Sequence, residues 1–154
     1  MSHLATIYGV ITSAMAGSDD HTAYHRLNRS TIDELPADDE YPPLTRPMFS
    51  ITEGTSLSWQ TRAIHFGWTT KNFDSDVADW ILKFEHLLMR LYWWEARVQM
   101  ELEIYGRIAI HWNLSGDSVQ SWRTNGLELP NQWQRTIHSD AGITLADSLG
   151  QQNA

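Results

Sequence analysis

The 154-residue chain has no cysteine, and this removes disulfide cross-links, thiolate nucleophiles and cysteine-based zinc sites together. Such a composition suits a reducing compartment, and a cytoplasmic location is the expectation. Lysine is scarce too: only two of the eleven basic residues are lysines, and the formal net charge is −8. Proteins bind phosphate backbones largely by neutralising them with Lys and Arg, so nucleic acid is not an expected partner. Long apolar runs are missing, since no window approaches the roughly 18 uninterrupted apolar residues of a membrane span. The first residues lack a basic stretch, and Thr6 and Gly9 interrupt their apolar run, which makes a poor signal peptide. The chain therefore reads as soluble, without a membrane partner. Serine nucleophile elbows, phosphate-cradling glycine loops, His-Glu-x-x-His pairs and zinc deaminase signatures are also absent. No enzyme activity, cofactor or metal is expected.

What the chain does have is aromatic side chains, with eight Trp, five Tyr and four Phe. A chain of this length can bury roughly 70% of its unfolded surface, enough for one core, and residues 1–154 read as a single domain with much of that core aromatic. The acidic balance would steer a basic protein surface toward the molecule, and it is equally an ordinary route to solubility.

Leu4 to Thr12 is rich in β-branched residues and reads as a first strand, with Tyr8-Gly9 marking a bulge. Ala23, Leu27 and Ile32 line a short helix between Asp19 and Leu35, with Asp19 or Asp20 as its cap. Residues 36–47 carry four prolines and the run Asp38-Asp39-Glu40, so neither helix nor central strand persists there and a long exposed acidic loop is expected. Met48 to Thr52 and Leu57 to Trp68 follow as strands around a turn at Glu53-Gly54-Thr55, with Ile64, Phe66 and Trp68 on one face; Thr69 to Asp74 leads on to a helix.

Val77, Trp80, Ile81, Phe84, Leu87, Leu88 and Leu91 fall at steps of three and four, one apolar stripe on a helix over about 75–91. Asp74, Ser75 and Asp76 are candidate N-caps, and Asp79 and Lys83 stand four apart on its wet face in the favourable order. Ala96, Val98, Met100, Leu102 and Ile104 then alternate with Glu95, Arg97, Gln99, Glu101 and Glu103, and after Tyr105-Gly106-Arg107 the alternation resumes through Ile108, Ile110, Trp112 and Leu114. A hairpin with a three-residue loop keeps like faces together, pairing Ile104 with Ile108, Leu102 with Ile110 and Met100 with Trp112, and setting Glu101 opposite His111. Val119 to Trp122 is a further short strand, residues beyond Pro130 are scattered in character, and residues 150–154 form a frayed tail. The expected fold class is α+β, an antiparallel sheet covered on one face by the amphipathic helix.

Several constellations can carry function. His21 and His25, four apart, would share a helix face as a two-ligand metal clamp does, against the plainer reading of two solvated imidazoles. A Glu101/His111 pair could move protons, with Arg62 or His65 near enough to stabilise an anion, although such cross-strand pairs are common on ordinary sheet faces. Trp93 and Trp94 cannot both point inward on a strand, so one is a candidate exposed anchor, and Trp94 is taken for that role. Glu95, Glu101, Glu103 and His111 on the hairpin, with Asp38, Asp39 and Glu40 on the loop, form the candidate docking surface for a basic partner, balanced against a solvated face.

The run from Trp80 through Phe84-Glu85, Leu87-Leu88, Leu91, Trp93, Ala96, Val98, Glu101, Glu103 and Gly106 to Ile110 and Trp112 resembles the helix-then-hairpin core of small immunity proteins from bacterial polymorphic toxin systems. The likeness implies a cytoplasmic protein of bacterial competition, paired with an Rhs-type or type VI secreted toxin whose active site or target-binding surface it blocks. Two other classes stand beside it: a small hydrolase or transferase using the His/Glu pair, and a structural or phage-associated assembly protein.

Overall fold

A computed structural model describes residues 3–12, 21–52, 63–114 and 133–140. Six strands form one sheet: β1 (Leu4–Thr12), β2 (Phe49–Ile51), β3 (Ala63–Lys71), β4 (Glu95–Leu102), β5 (Gly106–Leu114) and β6 (Trp133–Ser139), in the order β2-β3-β1-β4-β5-β6. Every neighbouring pair is antiparallel. Among the described residues two helices, α1 (His21–Asp33) and α2 (Val77–Leu88), complete an α+β fold. Among the described residues no helix is long and apolar enough to cross a membrane.

Strand alternation determines which face is covered. Ala5, Ile7 and Ile11 of β1, Ile64 and Phe66 of β3, Ala96, Val98, Met100 and Leu102 of β4, and Ile108, Ile110 and Trp112 of β5 are all buried. They meet the α2 stripe, in which Val77, Trp80, Ile81, Phe84, Leu87 and Leu88 are buried, with Leu91 just past the helix end. Aromatic rings fill the layer between: Phe84 lies 5.3 Å from Trp80 in a stacked pair and about as close to Phe66 and Trp112, at 5.1 Å each.

The passage from α2 to β4 is pinned by polar groups. Trp93 Nε1 donates to the Leu88 carbonyl at 2.9 Å. Asn28 of α1, itself buried, holds the Tyr92 backbone from both sides, donating to its carbonyl and accepting from its N–H, each at 2.8 Å. Thr31 adds a bond to the Arg90 carbonyl at 3.2 Å.

Several expectations are corrected. The hairpin loop is Glu103-Ile104-Tyr105, and β5 begins at Gly106 with φ of +73°. Glycine alone adopts that conformation without a Cβ penalty, so it fixes where the chain turns. Each β4 residue therefore faces a partner four positions nearer the turn than expected: Leu102 pairs with Gly106, Met100 with Ile108, Val98 with Ile110 and Ala96 with Trp112. The shift is even, so faces are preserved while partners change. Glu101 lies opposite Arg107, and it is Arg97 that lies opposite His111.

Tyr8-Gly9 is not a bulge, because the register runs one-to-one through Gly9 on both sides. The glycine is there for space: a Cβ would fall 2.2 Å from the Arg97 carbonyl and 2.4 Å from the Phe66 ring. β3 runs on to Lys71 where a connection was expected, and α2 is shorter than residues 75–91, preceded by a 3-10 turn at Asp74–Asp76. Asp76 occupies the cap position without a side-chain cap bond. Lys83 turns from Asp79 to the acidic loop, donating to Asp39 Oδ2 at 3.0 Å and to the Glu40 carbonyl at 2.9 Å.

Strand β6, for which no pattern was recognised, is the sixth member of the sheet. The turn at Glu53-Gly54-Thr55, the start of the third predicted strand, the strand at Val119–Trp122 and the tail at 150–154 lie outside the described residues.

Candidate functional site

Among the described residues both helices are on one side, and the other face of the sheet carries mostly polar side chains. Cross-strand register sorts them into rows. One row runs Ser50, His65, Val10, Arg97, His111, Thr136; the next runs Gly67, Tyr8, Gln99, Ala109, His138. Beyond these, Thr12, Glu95, Asn113 and Gln134 form a row at one end, and Thr6, Glu101 and Arg107 a row at the other. Tyr8, on a central strand and 40% exposed, is among the described residues the one large aromatic in the middle of this open face.

A hydrogen-bonded chain crosses β4 and β5 there. Asn113 Nδ2 lies 3.3 Å from His111 Nδ1, His111 Nε2 lies 2.9 Å from Glu95 Oε1, and Arg97 Nε donates to the same carboxylate oxygen. With the amide nitrogen on Nδ1, that ring nitrogen accepts and Nε2–H donates to Glu95. Both imidazole nitrogens are then engaged and Glu95 is shared by two donors, so the chain orders side chains on the sheet surface. At the far end Arg107 approaches Glu101 to 3.9 Å.

The candidate partner residues fall in separate places. Glu95, Glu101 and His111 share the open face, but Glu95 and Glu101 are six residues apart on one strand, roughly 20 Å at the usual rise. Glu101 lies opposite Arg107, and Glu95 accepts from Arg97 two residues along its own strand, so the face is of mixed charge and not acidic. Glu103 lies in the hairpin loop, where it accepts from the Leu4 N–H at 2.7 Å and approaches His3 Nδ1 to 3.5 Å. Trp94 precedes β4 beside Glu95 and is 42% exposed, whereas Trp93 is fully buried, so Trp94 is the exposed member of the pair.

Asp38, Asp39 and Glu40 are on the helical side of the molecule and cannot share one contact surface with the open face. Asp39 works internally. It accepts from the Leu44 N–H at 3.0 Å and the Glu40 N–H at 2.9 Å as well as from Lys83. The Leu44 N–H chiefly, with the Lys83 ammonium and the Glu40 N–H, holds its carboxyl below the ordinary 3.8 against the opposing effect of burial.

The enzyme constellation is regrouped. Glu95, not Glu101, is the carboxylate on His111; His65 lies in the His111 row with β1 and β4 between them, and Arg62 lies outside the described residues. His21 and His25 both belong to α1, and among the described residues no group of three His, Cys, Asp or Glu is placed to hold a metal.

Tyr8, Gln99, Thr136 and His138 were missed. The alternation of Thr6, Tyr8, Val10 and Thr12 against Ala5, Ile7 and Ile11 marked the first of these as outward. Thr136 and His138 had no comparable signal, because β6 turns a charged residue inward. Compared with known proteins, the chain matches no known family, no curated protein and no solved structure.

Proposed function

We propose that this protein is a non-enzymatic immunity protein that binds a cognate bacterial toxin domain and neutralises it in the cytoplasm, making contact through the open face of its sheet. The observation carrying this reading is that, among the described residues, helices cover one face only, with Tyr8 exposed among ordered charged and amide side chains on the other. Alternating Glu95/Arg97 and Glu101/Arg107 pairs give a surface on which specificity comes from matched charges and register, and an exposed tyrosine is a typical anchor. The net charge of −8 supplies the long-range attraction to a basic partner.

The test is co-purification with the toxin domain encoded beside it, followed by titration of a Tyr8→Ala, Glu101→Lys variant. Both positions are exposed, so the fold should survive, and affinity should fall by about tenfold or more. Unchanged affinity and protection would remove the open face as the contact surface, and failure of any toxin domain to bind would remove the immunity reading.

A second reading is a small hydrolase or transferase, favoured by the 2.9 Å contact between His111 and Glu95. Replacing His111 with Ala distinguishes the two: an enzyme loses its activity, whereas a binding protein retains protection or loses it only in proportion to affinity.

A further inference from the structure

The two edges of the sheet are built differently. At one, β2 is three residues long and is entered through the turn Arg46–Met48, with Pro47 at its centre. Shortness and an adjacent proline are the usual ways of blunting an edge against further pairing. At the other, β6 is seven residues long, lacks proline, glycine and lysine, and is paired to β5 without a bulge from Trp133 to Ser139. Among the described residues nothing pairs with its outer side. Its one charged side chain, Arg135, would guard the edge if it were free, because an added strand would have to bury it. It is instead turned inward and neutralised by Glu85, with 9% of its side chain exposed. That guard is already spent.

We propose that β6 pairs antiparallel with β6 of a second copy of this chain, centred on Thr136, to make one continuous sheet through a two-fold dimer. The register follows from the side chains. Centred on Thr136, all seven residues are paired: Gln134 faces His138, Thr136 faces itself, Arg135 faces Ile137 and Trp133 faces Ser139. Exposed residues then meet exposed residues, the two open faces become coplanar, and no like charges lie directly opposite. Centring on Arg135 would set that arginine against its own copy, and centring on Ile137 would leave only five residues of β6 paired with one another. The acids of the open face, Glu95 and Glu101, are on β4, two strands from this edge, and are paired with Arg97 and Arg107, so the overall charge of −8 does not concentrate here. An edge pairing of this length is smaller than a standard interface and gives a dimer that forms and dissociates with concentration. This pairing does not depend on the toxin reading.

The absence of cysteine makes the register directly measurable. In a Thr136→Cys variant the two thiols would be on directly opposite residues, whose Cα atoms lie about 4.5–5.5 Å apart, within disulfide range. In Gln134→Cys the two copies would be four residues out of register, about 13 Å apart and too far to bridge. Sedimentation of the native protein from about 1 μM to about 1 mM should show the apparent mass rising toward double. The Thr136→Cys chain should cross-link under mild oxidation, with Gln134→Cys and the exposed control His65→Cys staying reduced. Thr136→Lys, an exposed position in the monomer, should abolish the mass increase without changing the circular dichroism. A native chain that stays monomeric throughout overturns the proposal, as does cross-linking of Thr136→Cys no faster than His65→Cys. A dimer that survives Thr136→Lys would place the interface elsewhere and overturn it equally.

Discussion

Arg135 of β6 donates to Glu85 of α2 at 2.5 Å, and the two side chains are 9% and 4% exposed. Trp112 Nε1 donates to the same carboxylate oxygen at 2.9 Å, so one buried acid joins the helix to two neighbouring strands. Replacing Glu85 with Ala removes the carboxylate that a buried guanidinium and a buried indole N–H share. The expected loss is about 3–5 kcal/mol, read from guanidinium denaturation. A Glu85→Leu, Arg135→Met double variant should be less destabilised than Glu85→Ala, because it removes both charges together. Equal or greater loss in the double variant would mean that packing around Glu85 matters more than its charge.

Asn28 ties α1 to the chain between α2 and β4 with two bonds to the Tyr92 backbone. An Ala at this position leaves one N–H and one carbonyl buried and unsatisfied, with an expected cost of about 2–4 kcal/mol. The same denaturation measurement applies. A cost near zero would show that water reaches both groups, and α1 would then be only loosely attached.

Gly9 is in the middle of a central strand where the Arg97 carbonyl and the Phe66 ring leave no room for a methyl group. Gly9→Ala is expected to destabilise by about 1–3 kcal/mol despite the better strand propensity of alanine. A paired Gly9→Ala, Phe66→Leu variant should recover part of that loss, since only the ring, and not the carbonyl, can be moved aside. A neutral Gly9→Ala would show that the sheet opens there more easily than its continuous register suggests.

The parts of the fold that could be read from sequence obey a simple period. The α2 stripe and the alternation in β4 and β5 placed the helix over the sheet, because their inward positions are apolar with few exceptions, Glu85 of α2 chief among them. β6 escaped notice for the opposite reason. Its inward positions are Trp133, Arg135, Ile137 and Ser139, and Arg135 breaks the pattern; what makes that tolerable is Glu85, an acid inside an otherwise apolar helix face. Each residue looks misplaced until its partner is known, and they are fifty positions apart. The hairpin partners went astray through one glycine, since Gly106 closes the loop where a mid-loop glycine was expected. With the partners moved, the carboxylate beside His111 became Glu95. The acidic loop could be read as proline-rich, but it is exposed only in part, since Pro42, Leu44 and Thr45 are buried, and its carboxylate at Asp39 serves α2, a long-range contact that no local pattern encodes.

That contact sets a pH dependence. Asp39 is held below its ordinary value of 3.8, chiefly by the Leu44 N–H and then by Lys83. A carboxyl depressed in the folded state stabilises the protein fully above its unfolded value, and the contribution is lost as pH falls from about there through the folded value. Asp39→Asn keeps an oxygen acceptor for the Leu44 N–H but removes the charge from Lys83. At neutral pH the variant should be less stable by about 1 kcal/mol, a modest figure because both side chains keep contact with water. The gap should narrow as pH is lowered below 3.8, where the native carboxyl also becomes neutral. Urea midpoints for the two proteins at pH 7 and at the lowest pH where both fold would measure this. A gap that stays constant, or widens in acid, would mean that Asp39 acts in the loop through its shape and not through its charge.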